Sequence, residues 1–189
     1  EGRNIYYEYP QEAEARIKKG KTVLLVHGAY ANHEVWSAQY VYLEREHTPL
    51  ALDLPGHGNS QGPAINNSEE FRMFIKTFAE VLELAPFVFA GHSMGGSIAL
   101  DFALHYPETL KGLILIGSSA KWNGSEQLIE MWKTSSESTR ASNTLHMFSS
   151  TTPRHIQDRY YEHIRATPDA VCLADLENCA SYDLIASLD

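Results

Sequence analysis

Cysteine is scarce in this sequence, with only Cys172 and Cys179 among 189 residues. Two thiols in a chain of this size do not make a disulfide scaffold, and their spacing fits no zinc pattern. Positive charge is also in short supply. Fifteen Lys and Arg stand against twenty-four Asp and Glu, for a net charge of −9. Nucleic-acid binders need a basic footprint, so that class of partner is excluded. No apolar run approaches the roughly 18 residues of a membrane span. No N-terminal stretch has the pattern of a secretory signal, and the expected setting is cytoplasmic. Internal repeats are absent. What remains is 43% hydrophobic and 21% charged, an ordinary globular chain able to bury one sizeable core.

The first two-thirds alternates apolar runs with helical patterns, which points to an α/β fold with a mostly parallel sheet flanked by helices. Ile5 to Tyr9 alternates like a partly exposed edge strand. Thr22 to Val26 and Thr48 to Leu52 are continuous apolar runs, as strands buried on both faces require. Between them, His33 to Glu46 reads as a helix. Asn67 or Ser68 caps a clear helix in which Phe71, Phe74, Ile75, Phe78, Val81 and Leu82 recur at helical spacing. Phe87 to Ala90 is a further strand, Met94 to Tyr106 a helix stopped by Pro107, and Gly112 to Gly117 a strand apolar on both faces. Beyond Ser118, polar stretches separate helical patterns at Gln127 to Lys133 and Pro153 to Arg165. We divide the chain into a core over residues 1–120 and a helical segment over 121–189, with Thr134 to Ser142 as a loop.

Three motifs carry chemistry. Gly91-His92-Ser93-Met94-Gly95 is a G-x-S-x-G sequence placed directly after a strand and opening a helix. In that setting the serine occupies a strained turn that pushes its hydroxyl out of the sheet's carboxyl edge. The Met94 N–H, at the helix N-terminus, points where a tetrahedral oxyanion would form. His27-Gly28-Ala29-Tyr30 ends the Thr22 strand, and Gly28 permits a sharp turn that leaves the Ala29 N–H free as a second donor. His27 is assigned to shaping that loop. Asp53-Leu54-Pro55-Gly56-His57-Gly58-Asn59-Ser60 follows the Thr48 strand, where Asp53 and Ser60 are expected to satisfy backbone groups of the loop.

In this order and at these separations, the three motifs resemble the α/β-hydrolase family, most closely its capped carboxylesterases, monoacylglycerol lipases, enol-lactonases and C–C hydrolases. The resemblance runs from Thr22 to Ser119 and continues weakly into the helical segment, which is similar to the family's cap. It implies Ser93 as nucleophile and Ala29 and Met94 as backbone oxyanion donors, with Gly28, Tyr30, His92 and Trp122 contacting substrate. No metal or cofactor is implied. The family's acid and histidine follow two later strands, which this chain does not contain. The alternative acid position, Gly117-Ser118-Ser119, holds no carboxylate. His33, His47, His105, His146, His155 and His163 fall on helices or in the cap and read as surface or packing residues. A second chain or a C-terminal remainder is therefore expected to complete the sheet.

The implied activity is cleavage of a small-molecule ester, thioester or related carbonyl compound through an acyl-enzyme. A non-catalytic binding or signalling protein of the same fold, or an inactive fragment of a longer hydrolase, is the competing reading. Trp122, Met131, Trp132, Met147 and Phe148 either line an apolar pocket or pack the cap. Cys172 and Cys179 read as buried small hydrophobes. Arg16, Lys18, Lys19 and Lys21 read as a solvated turn.

Overall fold

The computed structural model describes residues 4–10, 21–84, 86–135 and 147–188. Arg16, Lys18, Lys19, His146 and residues 136–142 lie outside them. The described strands are β1 (Tyr7–Glu8), β2 (Thr22–Val26), β3 (Thr48–Leu52), β4 (Phe87–His92) and β5 (Leu110–Ile116). They form one sheet in the order β1-β3-β2-β4-β5. Only β1 runs antiparallel; β3, β2, β4 and β5 are parallel neighbours. Val26 pairs with Leu52 on one side and Gly91 on the other. That register brings the carboxyl ends of β2, β3 and β4 to one edge, which is where loops of parallel sheets collect ligands.

Every residue of β2 and β3 is buried, and their alternation divides two cores. Leu24, Val26, Leu50, Leu52, Phe87 and Phe89 pack beneath helices α2 (Ser68–Val81) and α3 (Met94–His105), which contribute Phe71, Ile75, Phe78, Ile98 and Phe102. Asn67, not Ser68, caps α2, its side chain accepting the Glu70 N–H at 2.9 Å. Val81, counted in the apolar stripe, is instead 74% exposed at the helix's last turn. On the opposite face, Val23, Leu25, Ala51 and Ala90 meet Trp36 and Tyr40.

The expected helix from His33 to Glu46 divides in two. A 3-10 turn (His33–Trp36) precedes α1 (Ser37–Leu43). Asn32 caps the turn at the Glu34 N–H, while the backbone and ring of His33 are both held by Asp53. That tertiary capture tightens the first turn against its α-helical preference. The last described strand, β5, starts earlier than its apolar run predicts, at Leu110 after the Pro107–Thr109 turn, and so includes the exposed Lys111. Ile114, Leu115 and Ile116 are 43–46% exposed. Among the described residues β5 has a strand neighbour only at β4.

After β5 come α4 (Ser125–Thr134), α5 (Arg154–Ala166) and α6 (Asp169–Ser181). Tyr30 from the core joins Trp132, Ile164, Cys172 and Leu176 of these helices in a third apolar cluster. Its far end returns to the sheet, where Leu184 N–H donates to Ala120 O and Lys121 Nζ pairs with Asp183 at 2.6 Å. No helix among the described residues is long and apolar enough to cross a membrane.

Candidate active site

Ser93 is the residue between β4 and α3, and its backbone lies at φ 53°, ψ −121°. A non-glycine residue there is strained by roughly 1–3 kcal/mol, and persists only where its surroundings over-determine it. Here the surroundings are specific. Ser93 N–H donates to Ile116 O at 2.9 Å, and Ser93 O accepts the Gly96 N–H at 2.9 Å. A Cβ on Gly91 would strike the backbone of Gly95, and one on Gly95 would strike the backbone oxygens of Val26 and His27. Strand and helix therefore meet backbone to backbone. The Ser93 side chain makes no capping bond to α3 and no hydrogen bond to any described residue.

The 27–30 turn lies against this elbow. A Cβ on Gly28 would sit 2.9 Å from Ser93 Cβ, so only glycine lets the turn approach so closely. Ala29 N–H has no hydrogen-bond partner among the described residues. Met94 N–H, at the first position of α3, is one of the donors that a helix N-terminus leaves free. His27 is fully buried and fixed at both nitrogens. Leu54 N–H donates to Nε2 at 3.1 Å, so Nδ1 carries the proton and donates to Gly28 O at 2.8 Å. Burial first, then the neighbouring His57, pushes its pKa down to about 3, which keeps it neutral and makes it a brace for the turn.

Tyr30 completes the turn at φ 65°. It is 5% exposed, its ring stacked on Trp132 with centroids 4.8 Å apart. Its N–H donates to Asp175 Oδ2 at 2.8 Å and its carbonyl accepts Thr167 Oγ1 at 3.3 Å. Trp122 lies against the main core and donates its indole N–H to Ser97 Oγ at 2.8 Å.

Asp53 is occupied by the loop that follows β3. Its Oδ1 accepts the His33 N–H and ring, and its Oδ2 the Asn59 N–H, while Ser60 Oγ donates to Asp53 O at 2.7 Å. His57, by contrast, does more than shape a loop. Its Nε2 meets Asp175 Oδ2 at 3.0 Å and its Nδ1 meets Pro55 O at 3.1 Å. Two acceptors can be satisfied only by an imidazolium. Burial works against that charge, and the Asp175 carboxylate overcomes it, so the His57 pKa rises. Asp175 was absent from the motif reading. The signal was available: an aspartate surrounded by Val171, Cys172, Ala174, Leu176 and Cys179 on one helix must have a buried partner.

A cavity of about 450 Å³ opens beside the elbow, lined among others by His92, Ile116, Trp36, Phe148 and Tyr160. Burial lowers the His92 pKa. Of the aromatic and methionine residues that either line a pocket or pack helices, Phe148 lines this cavity, Trp132 is buried against Tyr30, and Met147 is 62% exposed. Cys172 and Cys179 are both buried and neither is in a disulfide. Burial, then Asp175, pushes the Cys179 thiol up to about 12. No histidine hydrogen-bonds Ser93, and no cluster suited to a metal ion occurs, among the described residues.

Residues 21–163, more than half of the chain, match the family described as the alpha/beta hydrolase fold. The chain belongs to that family. It is 29% identical over 104 residues to (E)-2-((N-methylformamido)methylene)succinate hydrolase of Acinetobacter baylyi, covering 54% of this chain and 40% of that protein. It is 30% identical over 99 residues to human (Lyso)-N-acylphosphatidylethanolamine lipase, covering 50% and 29%. The chain thus matches less than half the length of these curated relatives. An esterase structure from Exiguobacterium antarcticum superposes with a TM-score of 0.85 at 23% identity, covering 99% of this chain and 73% of that one.

The shifted histidines predict a pH optimum for the stability of this chain. His27 stays neutral when folded but protonates below about pH 6.5 when unfolded, so its contribution is lost as pH falls from 6.5 toward 3. The slope from this group alone is up to about 1.4 kcal/mol per pH unit. His33 and His57 have raised pKa values. Their contribution is complete below 6.5 and is lost as pH rises through the folded values. Melting temperatures scanned between about pH 4 and 9 should therefore peak near 6.5. A monotonic rise across that range would contradict these assignments.

Proposed function

We propose that the protein is a serine hydrolase of small carboxylic esters, thioesters or related carbonyl compounds. Ser93 attacks the carbonyl carbon, and the N–H groups of Ala29 and Met94 receive the developing oxyanion. The leaving alcohol departs, and water then releases the acid from the acyl-enzyme. The observation that carries this reading is the strained Ser93 elbow, its hydroxyl unpartnered, packed against the Gly28–Ala29 turn. Gly28 and His92 flank the nucleophile, while Tyr30 and Trp122 shape the walls, and the segment from residue 121 onward serves as a cap. The relatives named as a hydrolase and a lipase support the reaction class. No metal or organic cofactor enters this scheme.

The triad's acid and base come, in this reading, from a C-terminal remainder or a second chain adding strands along β5. The exposed Ile114, Leu115 and Ile116 support that placement, because an unprotected apolar edge invites pairing. The setting is cytoplasmic, where both buried thiols stay reduced. The whole protein should turn over at least one p-nitrophenyl ester in a series of short, medium and long acyl chains, and the preferred length reports pocket depth. A whole protein inert to every member, yet binding an acyl ligand, would favour the non-catalytic alternative.

A further inference from the structure

We propose that Asp175, on α6, is a positioning residue for the oxyanion turn: its Oδ2 holds Tyr30 N–H so that the adjacent Ala29 N–H stays aimed above Ser93. This rests on the role given to Ala29 in the proposed function. The turn cannot hold itself. Its own closing bond, Ala31 N–H to Gly28 O, is long at 3.4 Å, and Tyr30 is a bulky residue at positive φ, a conformation that needs outside support. That support comes from three points beyond β5. Asp175 takes the N–H at 2.8 Å, Thr167 reaches the carbonyl at 3.3 Å, and Trp132 stacks on the ring. Residues 28–30 thus belong to the core in sequence, and while His27 braces Gly28, Tyr30 is held by the helical segment.

The charge on Asp175 has its own logic. A carboxylate accepts a backbone N–H more strongly than a neutral group does. A bare negative charge one peptide unit from an oxyanion site would, however, oppose the transition state. His57 resolves the conflict, because the same Oδ2 accepts its Nε2–H at 3.0 Å, with both side chains 1% exposed. A buried ion pair of this kind adds little net stability, and its better-attested use is to fix one arrangement. Here the arrangement fixed is that of the oxyanion turn against α6.

The test uses the whole protein and the p-nitrophenyl ester it turns over best. In Asp175→Asn, kcat should fall about 10- to 100-fold with KM within about twofold, because the donor it positions acts on the transition state more than on bound substrate. Inhibition by a trifluoromethyl ketone, which needs the same donors, should weaken in parallel with kcat/KM. Thr167→Val, which removes the carbonyl contact together with the hydroxyl's 2.9 Å bond to His163 O at the end of α5, should lower kcat about two- to fivefold with KM unchanged, and decides the matter should Asp175→Asn melt below assay temperature. Unchanged kcat in a folded Asp175→Asn protein, or in Thr167→Val where only that variant folds, overturns the positioning role and leaves Ser93 untouched. A wild-type protein that neither hydrolyses esters nor takes up a fluorophosphonate overturns the reading beneath it, and this inference with it.

Discussion

Ser93→Ala is expected to lower ester turnover by the whole protein roughly 10⁴-fold or more, leaving only what the oxyanion donors and binding supply. The fold should barely notice. Ser93 Oγ bonds no described residue, and alanine keeps the Cβ that packs against Gly28. The melting midpoint should therefore stay within about 2 °C of wild type. Both halves of the result matter, because a loss of activity that accompanies a loss of fold says nothing about the nucleophile. Comparable turnover in a folded Ser93→Ala protein would remove the acyl-enzyme mechanism.

Gly95→Ala is expected to have the largest effect on stability. The added methyl would be driven into the carbonyl oxygens of Val26 and His27, with Val26 C at 2.9 Å. These are backbone atoms at the end of a strand buried on both faces, so neither side can yield cheaply. Overpacking of this kind costs about 3 kcal/mol or more, equivalent to a fall of roughly 10 °C in melting midpoint. Where the mutant still folds, α3 must shift from β2, carrying Met94 N–H away from the 27–30 turn, so activity should fall as well. Gly112→Ala supplies the contrast. There a Cβ would meet only Val88 Cγ2 at 3.8 Å, an ordinary contact, and thermal unfolding should show a change under about 1 kcal/mol. Equal midpoints for the two variants would mean that the close approach of strand and helix is not a constraint.

The sheet was legible in the sequence because its signals are local. β2 and β3 are continuous apolar runs, α2 has a capped helical stripe, and G-x-S-x-G marks the strand-to-helix turn. With β2 between β3 and β4, those local signals converge on one edge of the sheet. Boundaries drifted where tertiary contacts decide them: Asp53 captures His33 and tightens its turn, and a Pro107 turn delivers Leu110 early to β5. The Asp175 network was illegible for a different reason. Its partners lie 118 and 145 residues apart in sequence, and periodicity carries no information over such separations. His57, part of a loop motif in the sequence, has its pKa raised chiefly by an aspartate that three helices bring back to it.

The most direct test is to treat the whole protein with a fluorophosphonate and locate the adduct by peptide mass spectrometry. A single phosphonyl group should appear on Ser93, and none should form in Ser93→Ala. An adduct on another serine, or none on a protein that nonetheless hydrolyses esters, would contradict the assignment of Ser93 as nucleophile.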